Sequence, residues 1–238
     1  MKKSNQNVYA LFSCPVFETK KAYTPNKKDQ DFLLNYVRPA DIHVRRDIFN
    51  EEVYKKPVKA GAVQNFISKD SYVLDNPILK SMKKKFQSLV DEYCYDVLQF
   101  DRKHRFYITQ SWMNFNPKGT GHHLHYHPNS IISSVYFIKT PPKCPPITFH
   151  NNSGSRLFPQ FEFSIKNWNE YNSNSWWVPA LEGSLLLFPS VLRHSVAPNP
   201  SKSPRVSMSF NVFAKRLGEP GDLNELRMDG ESDLLLLE

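Results

Sequence analysis

Only three cysteines occur, Cys14, Cys94 and Cys144, widely separated and without a CxxC pair. That excludes a disulfide framework and a thiolate zinc site, and a reducing cytoplasmic setting is expected. No run approaches the roughly 18 apolar residues of a membrane span. The opening MKKSNQNVYALFSC has no secretory apolar core. There is no P-loop, no GxGxxG and no internal repeat, so no phosphate cradle of those kinds is built. Formal net charge is +8, yet the lysines are scattered or in short runs and no dense arginine patch interleaves with aromatics. Solubility is therefore the preferred reading of the charge over a nucleic-acid partner. Carboxylates are missing too: no Asp or Glu lies between Arg102 and Phe161.

What is present suits one domain over 1–238, since 238 residues with 40% apolar content can bury one sizeable core. Residues 8–18 read as a first strand broken by Pro15, and 19–60 as loops with a short helix or two. Ile78, Leu79, Met82, Phe86, Leu89, Val90, Tyr93 and Val97 recur at three and four, predicting one amphipathic helix. Asp75 or Asn76 would cap it, with Pro77 in its first turn. After Asp101 the pattern turns to strands: Phe106–Asn116, Ile131–Lys139, Ile147–His150, 161–168, 174–178, Ser184–Pro189, Ser195–Pro198 and Arg205–Ala214. Many short strands punctuated by Gly and Pro after a helical segment predict a mainly β jelly roll at 106–215. Its helical support spans 19–100, and an acidic, loosely held tail follows at 216–238.

Chemistry concentrates in GTGHHLHYHPNS, where His122, His123, His125 and His127 fall within six positions. On a strand, His125 and His127 share a face and Tyr126 turns away. By the same parity His123 is a reserve ligand and His122 is disfavoured. His194, far downstream in VLRHSV, is the best third ligand for a metal ion. The usual non-haem iron triad has two histidines and a carboxylate. Here either His127 takes the carboxylate's place or Glu162, Glu170 or Glu182 reaches in. Three neutral imidazoles would leave iron(II) its full charge and make zinc a competitor. A tight histidine cluster is also a common surface feature, which is the competing reading.

Arg205 opens the strand RVSMSFNVF, in which Arg205, Ser207, Ser209 and Asn211 share one face. Such a polar row lines a pocket or marks a wet edge strand. In a pocket, Arg205 can grip a carboxylate in bidentate fashion with help from Ser207. Asn114, Asn116, Ser134 and Tyr136 are further pocket candidates from alternation and polarity.

The blocks LFSCPVFE, SWMNFNPKGTGHHLHYHPNSIISSVYFI, PALEGSLLLFPSVLRHSVAPN and RVSMSFNVF resemble those of 2-oxoglutarate- and iron(II)-dependent oxygenases of the prolyl-hydroxylase-like superfamily, and a bacterial and phage group within it most of all. The resemblance implies a double-stranded β-helix, the HxD position on His125-Tyr126-His127 and the distal histidine on His194. It places the 2-oxoglutarate anchor on Arg205 with Ser207, and Fe(II) and 2-oxoglutarate as cofactors. It departs from the wider superfamily at His127, which stands where a carboxylate is usual, and at Ser133-Ser134, where Ser-Gly is usual. The implied reaction converts 2-oxoglutarate and oxygen to succinate and CO2 while hydroxylating a substrate. Two alternatives stay open: a cupin-like metal protein without 2-oxoglutarate chemistry, and a non-catalytic binding module. The substrate would be a small molecule or a protein, a homodimer is compatible with the sequence, and no membrane is expected. Trp168, Trp176 and Trp177 would serve an outer wall or the core.

Overall fold

The computed structural model describes residues 13–39, 65–151, 163–169 and 171–228, together with 7 and 9. A short strand β1 (Phe17–Thr19) leads to helix α1 (Lys27–Asn35) and strand β2 (Val37–Pro39). After β3 (Phe66–Ser68) comes α2 (Lys80–Glu92). The remaining strands are β4 (Phe106–Asn116), β5 (His122–His125), β6 (Ile132–Lys139), β7 (Ile147–His150), β8 (Ser175–Val178), β9 (Leu185–Pro189), β10 (Arg193–Val196) and β11 (Arg205–Ala214). A hairpin of β12 (Arg216–Leu217) and β13 (Leu226–Arg227) follows.

The long sheet has the order β1-β9-β6-β11-β4-β3-β2 and the short one β5-β10-β7-β8, with every pair antiparallel. This is a mainly β jelly roll. Val135, Phe137, Leu186 and Phe188 of the long sheet pack with Ile147, Phe149 and Val196 of the short one. A ligand enclosed between the sheets therefore meets side chains from both.

Helix α2 covers the outer face of the long sheet. Asn76 accepts from the Ile78 amide, Pro77 sits at the start of a 3-10 turn, and α2 continues from it. Met82, Phe86, Leu89 and Val90 are buried, and Phe86 stacks on Phe210 (5.5 Å) and meets Tyr136 (5.0 Å). Burying each such side chain contributes about 1.5–3 kcal/mol. Val97 departs from the expected apolar face: a π-turn at Tyr93–Val97 rotates it outward, where it is 43% exposed.

Several expected elements differ. Of the first strand only Phe17–Thr19 pairs, beyond Pro15, which has no amide to donate; residues 8 and 10–12 lie outside the described residues. Residues 163–168 form no strand. Part of the presumed loose tail is ordered, because Glu225 ties Arg216 to Arg227 across the β12–β13 hairpin. Among the described residues no helix is long and apolar enough to cross a membrane.

Candidate metal centre and anion pocket

Strand β5 is set against β10 by its N-terminal approach. A Cβ at Gly121 would lie 2.3 Å from the Val196 carbonyl oxygen, so only glycine lets the chain pass so close. The Asn199 side chain then donates to the Asn116 and Ser203 carbonyls, tying the entry loop down. In the β5–β10 ladder His194 faces His125, while Val196 faces His122. Three steps on β5 thus oppose two on β10, which makes a β-bulge.

That bulge overturns the parity expected from simple alternation. His122 turns inward and lines the pocket, whereas His123, the expected reserve ligand, is exposed. Strand β5 also ends at His125, so His127 lies just beyond it, held by its amide donating to Ser190 O at 3.1 Å. Tyr126 turns outward as expected and is 55% exposed.

His125, His127 and His194 come together: one nitrogen from each lies within 4.8 Å of the others. Their tautomers follow from their partners. His125 Nδ1 is 2.7 Å from His123 O, His194 Nδ1 is 3.0 Å from Leu192 O, and His127 Nδ1 is 2.9 Å from Asn211 Oδ1. Carbonyl oxygens only accept, so each Nδ1 carries the proton and each Nε2 keeps its lone pair. Burial pushes His194 down to about 3 and His127 to about 4, and it lowers His125 as well. Three neutral, metal-ready imidazoles result. No carboxylate joins them among the described residues. Glu182 instead is exposed and accepts from the Thr140 amide; Glu162 and Glu170 lie outside the described residues.

Arg205 opens β11, which runs between β6 and β4 and is no edge strand. The residue is 1% exposed. One terminal nitrogen of its guanidinium donates to Asn116 Oδ1 (3.2 Å) and Ser207 Oγ (3.0 Å), and the group lies 5.2 Å from the Phe137 ring centre. Among the described residues no carboxylate neutralises it, and its Nε has no hydrogen-bond partner. Burial pushes its pKa down, against the influence of the Cys144 thiol nearby. A buried, unpaired guanidinium is costly unless an anion joins it. It lines the same cavity as the three histidines, with Ser207, Ser209, Asn114 and Trp112.

Other expected pocket residues are placed differently. Asn116 is fully buried behind Arg205, where its Oδ1 also meets His122 Nε2 at 3.2 Å, so it orients the guanidinium. Tyr136 is not in the pocket. It belongs to the core under α2, and its hydroxyl donates to Tyr23 O at 2.9 Å. On β6 the parity is the reverse of the one expected: Val135 and Phe137 face the small sheet, and Tyr136 faces the helix. Ser134 borders the cavity while its hydroxyl is engaged with the Phe210 backbone. Trp176 and Trp177 stand exposed on the edge strand β8, and Trp168 is exposed as well. Besides the apolar wall residues Val135, Ile147, Phe188 and Val196, Trp112 and His122 escaped the sequence reading. Trp112 shares the parity of Asn114, which could have found it; His122 depends on the bulge, which alternation does not reveal.

Residues 110–211 match the family described as "Putative 2OG-Fe(II) oxygenase". No curated protein sequence matches the chain. Among solved structures, the Trichoplax adhaerens prolyl hydroxylase in complex with a hypoxia inducible factor peptide fragment is 13% identical, covering 83% of this chain and 83% of its own, with a TM-score of 0.50. HygX from Streptomyces hygroscopicus, bound to nickel, 2-oxoglutarate and hygromycin B, is 10% identical over 83% and 82%, TM-score 0.50. The epimerase SnoN, in complex with Fe3+, alpha ketoglutarate and nogalamycin RO, is 15% identical over 92% and 88%, TM-score 0.50. At such identities these likenesses establish the fold.

Proposed function

We propose that the chain, whose residues 110–211 match the family described as "Putative 2OG-Fe(II) oxygenase", is an Fe(II)- and 2-oxoglutarate-dependent oxygenase that hydroxylates its substrate and releases succinate and CO2. The observation that carries this reading is the buried guanidinium of Arg205, with no carboxylate beside it among the described residues, in the same cavity as three converging imidazoles. A cation on one side and neutral nitrogen donors on the other suit a dicarboxylate that also meets a metal ion.

His125, His127 and His194 would hold the iron through Nε2, the nitrogen left free by their Nδ1 partners. Iron held there supplies the redox chemistry that couples oxygen and 2-oxoglutarate to substrate oxidation. Arg205 grips the carboxylate at the far end of the co-substrate, and Ser207 adds a hydroxyl beside it. Asn116 keeps the guanidinium aimed inward. Val135, Phe188 and Val196 form apolar walls that exclude water and strengthen these contacts. The reaction asks no general base of the protein.

In the test, iron-loaded protein is incubated with 2-oxoglutarate and oxygen, and loss of 2-oxoglutarate is compared with succinate formed. Equal amounts are expected, with none formed by an Arg205→Ala variant. An iron-loaded protein that neither binds nor consumes 2-oxoglutarate contradicts the proposal. That no carboxylate joins the three histidines among the described residues favours a second reading, a zinc-binding jelly roll without 2-oxoglutarate chemistry. Arg205→Ala would leave that activity intact.

A further inference from the structure

The three imidazoles are not held alike. His125 and His194 face each other across a ladder, and each donates its Nδ1–H to the carbonyl two residues earlier in its own chain. Their orientation is closed locally. His127 has no such closure: it lies beyond the end of β5, next to Pro128, and a hydrogen bond from its amide to the Ser190 carbonyl anchors its backbone. Its ring is fixed from the opposite sheet, by the Asn211 amide oxygen at 2.9 Å, with the Trp112 ring 5.4 Å away.

Asn211 is itself held firmly. It is 4% exposed and sits where the β11–β4 ladder slips register. Its Oδ1 accepts a second bond from Ser133 Oγ at 3.0 Å. Ser133 Oγ is 2.7 Å from Ser190 Oγ, which donates to Ser130 Oγ at 2.7 Å. One hydroxyl, that of Ser133, thus donates to the amide oxygen, and Ser190 beside it also supplies the carbonyl that anchors the His127 backbone.

We infer that Asn211 is a positioning residue for the third ligand place: steadied by the Ser133 hydroxyl, it holds His127 as the Nδ1–H tautomer with Nε2 turned to the shared centre. The inference rests on the proposed metal centre and deepens it. A neutral acceptor serves a neutral ligand here: it fixes the ring without adding charge, and the His127 place stays uncharged where the superfamily usually carries a carboxylate. Outer partners of this kind set ligand orientation and metal affinity.

Anaerobic Fe(II) titration of the metal-free full chain tests it, compared across native protein, Asn211→Leu, Asn211→Asp and Ser133→Ala. Asn211→Leu, which keeps the shape and removes the acceptor, weakens Fe(II) binding about 10- to 100-fold. Asn211→Asp, which restores an acceptor, recovers native affinity to within a few-fold. Ser133→Ala, which loosens the brace only, gives a smaller loss. Long-range 1H–15N spectra of the metal-free native protein show the His127 ring with its proton on Nδ1, a readout that stands even where the leucine variant does not fold. A native ring carrying its proton on Nε2 overturns the inference. So does an Asn211→Asp variant as weak as Asn211→Leu. Native protein that binds no Fe(II) overturns the metal centre itself and the inference with it; native and folded Asn211→Leu protein binding Fe(II) equally overturns the inference alone.

Discussion

Along β11, Val206, Met208, Phe210 and Val212 turn toward α2, whereas Arg205, Ser207, Ser209 and Asn211 turn toward the small sheet. Both rows are buried. The first is apolar throughout and packs on Phe86 and its neighbours, as a core requires. The second places a guanidinium, two hydroxyls and an amide out of water, which costs stability unless each group finds a partner. Asn211 finds His127, and Ser207 finds Arg205. Arg205 Nε finds none among the described residues. One strand thus separates an apolar face that packs the core from a polar face that lines the cavity. An uncompensated buried group is the mark that tells them apart.

Substitutions on the two faces should fail in different ways. The largest effect is expected from His194→Ala on the pocket side. Loss of a direct ligand weakens Fe(II) binding beyond the roughly 10- to 100-fold typical of outer partners, while thermal unfolding of the metal-free protein changes little by comparison. Equilibrium metal titration beside a melting curve checks both halves. Phe210→Ala on the helix side should do the reverse. It costs about 3–5 kcal/mol in denaturant unfolding and, at temperatures where the protein stays folded, leaves metal affinity near native. A large drop in metal affinity for folded Phe210→Ala protein would break the division between the faces.

Arg205→Met sharpens the comparison. Removing charge-assisted contacts should weaken 2-oxoglutarate about 100-fold, read by calorimetry on iron-loaded protein. The melting temperature should hold or rise, because an unpaired buried charge has been removed. A marked fall in melting temperature would show that Arg205 serves the core.

The smallest expected effect is on pH. Burial lowers His122 to about 3, with the Arg205 cation acting in the same direction, and His194 to about 3 and His127 to about 4, all from an ordinary value of 6.5. As pH falls below 6.5 the unfolded chain takes up these protons first, so folded metal-free protein loses stability between that value and about 3. The melting temperature should drop by roughly 5 °C or more across the window. Replacing His122 with Phe should shrink that slope, and an unchanged slope would place the destabilising protonation elsewhere.

Much of this arrangement was legible in the residues. Strong alternation placed Phe106–Asn116, Ile147–His150 and Arg205–Ala214 at the bounds the structure gives them. The spacing of Met82, Phe86, Leu89 and Val90 identified the face that α2 buries. His125, His127 and His194 do come together and Arg205 does face the cavity, but His127 lies beyond the end of β5 rather than on a shared strand face with His125. Parity failed where the backbone was irregular. The bulge in β5 exchanged His122 for His123. Tyr136 was misassigned because a buried tyrosine reads as polar, although its ring fills the helix-side core and only its hydroxyl needs a partner. The three-residue strands β1, β2 and β3 carry too few residues for a period to show. The Asn211–His127 bond joins positions 84 residues apart, which no local pattern records.

The central claim is that one cavity binds a metal ion and a dicarboxylate together. Calorimetric titration of 2-oxoglutarate into the full chain without oxygen, with and without Fe(II), tests this most directly. The account predicts one site per chain, far tighter with iron than without and lost in His194→Ala. Binding that is absent, or indifferent to both iron and His194, would contradict it.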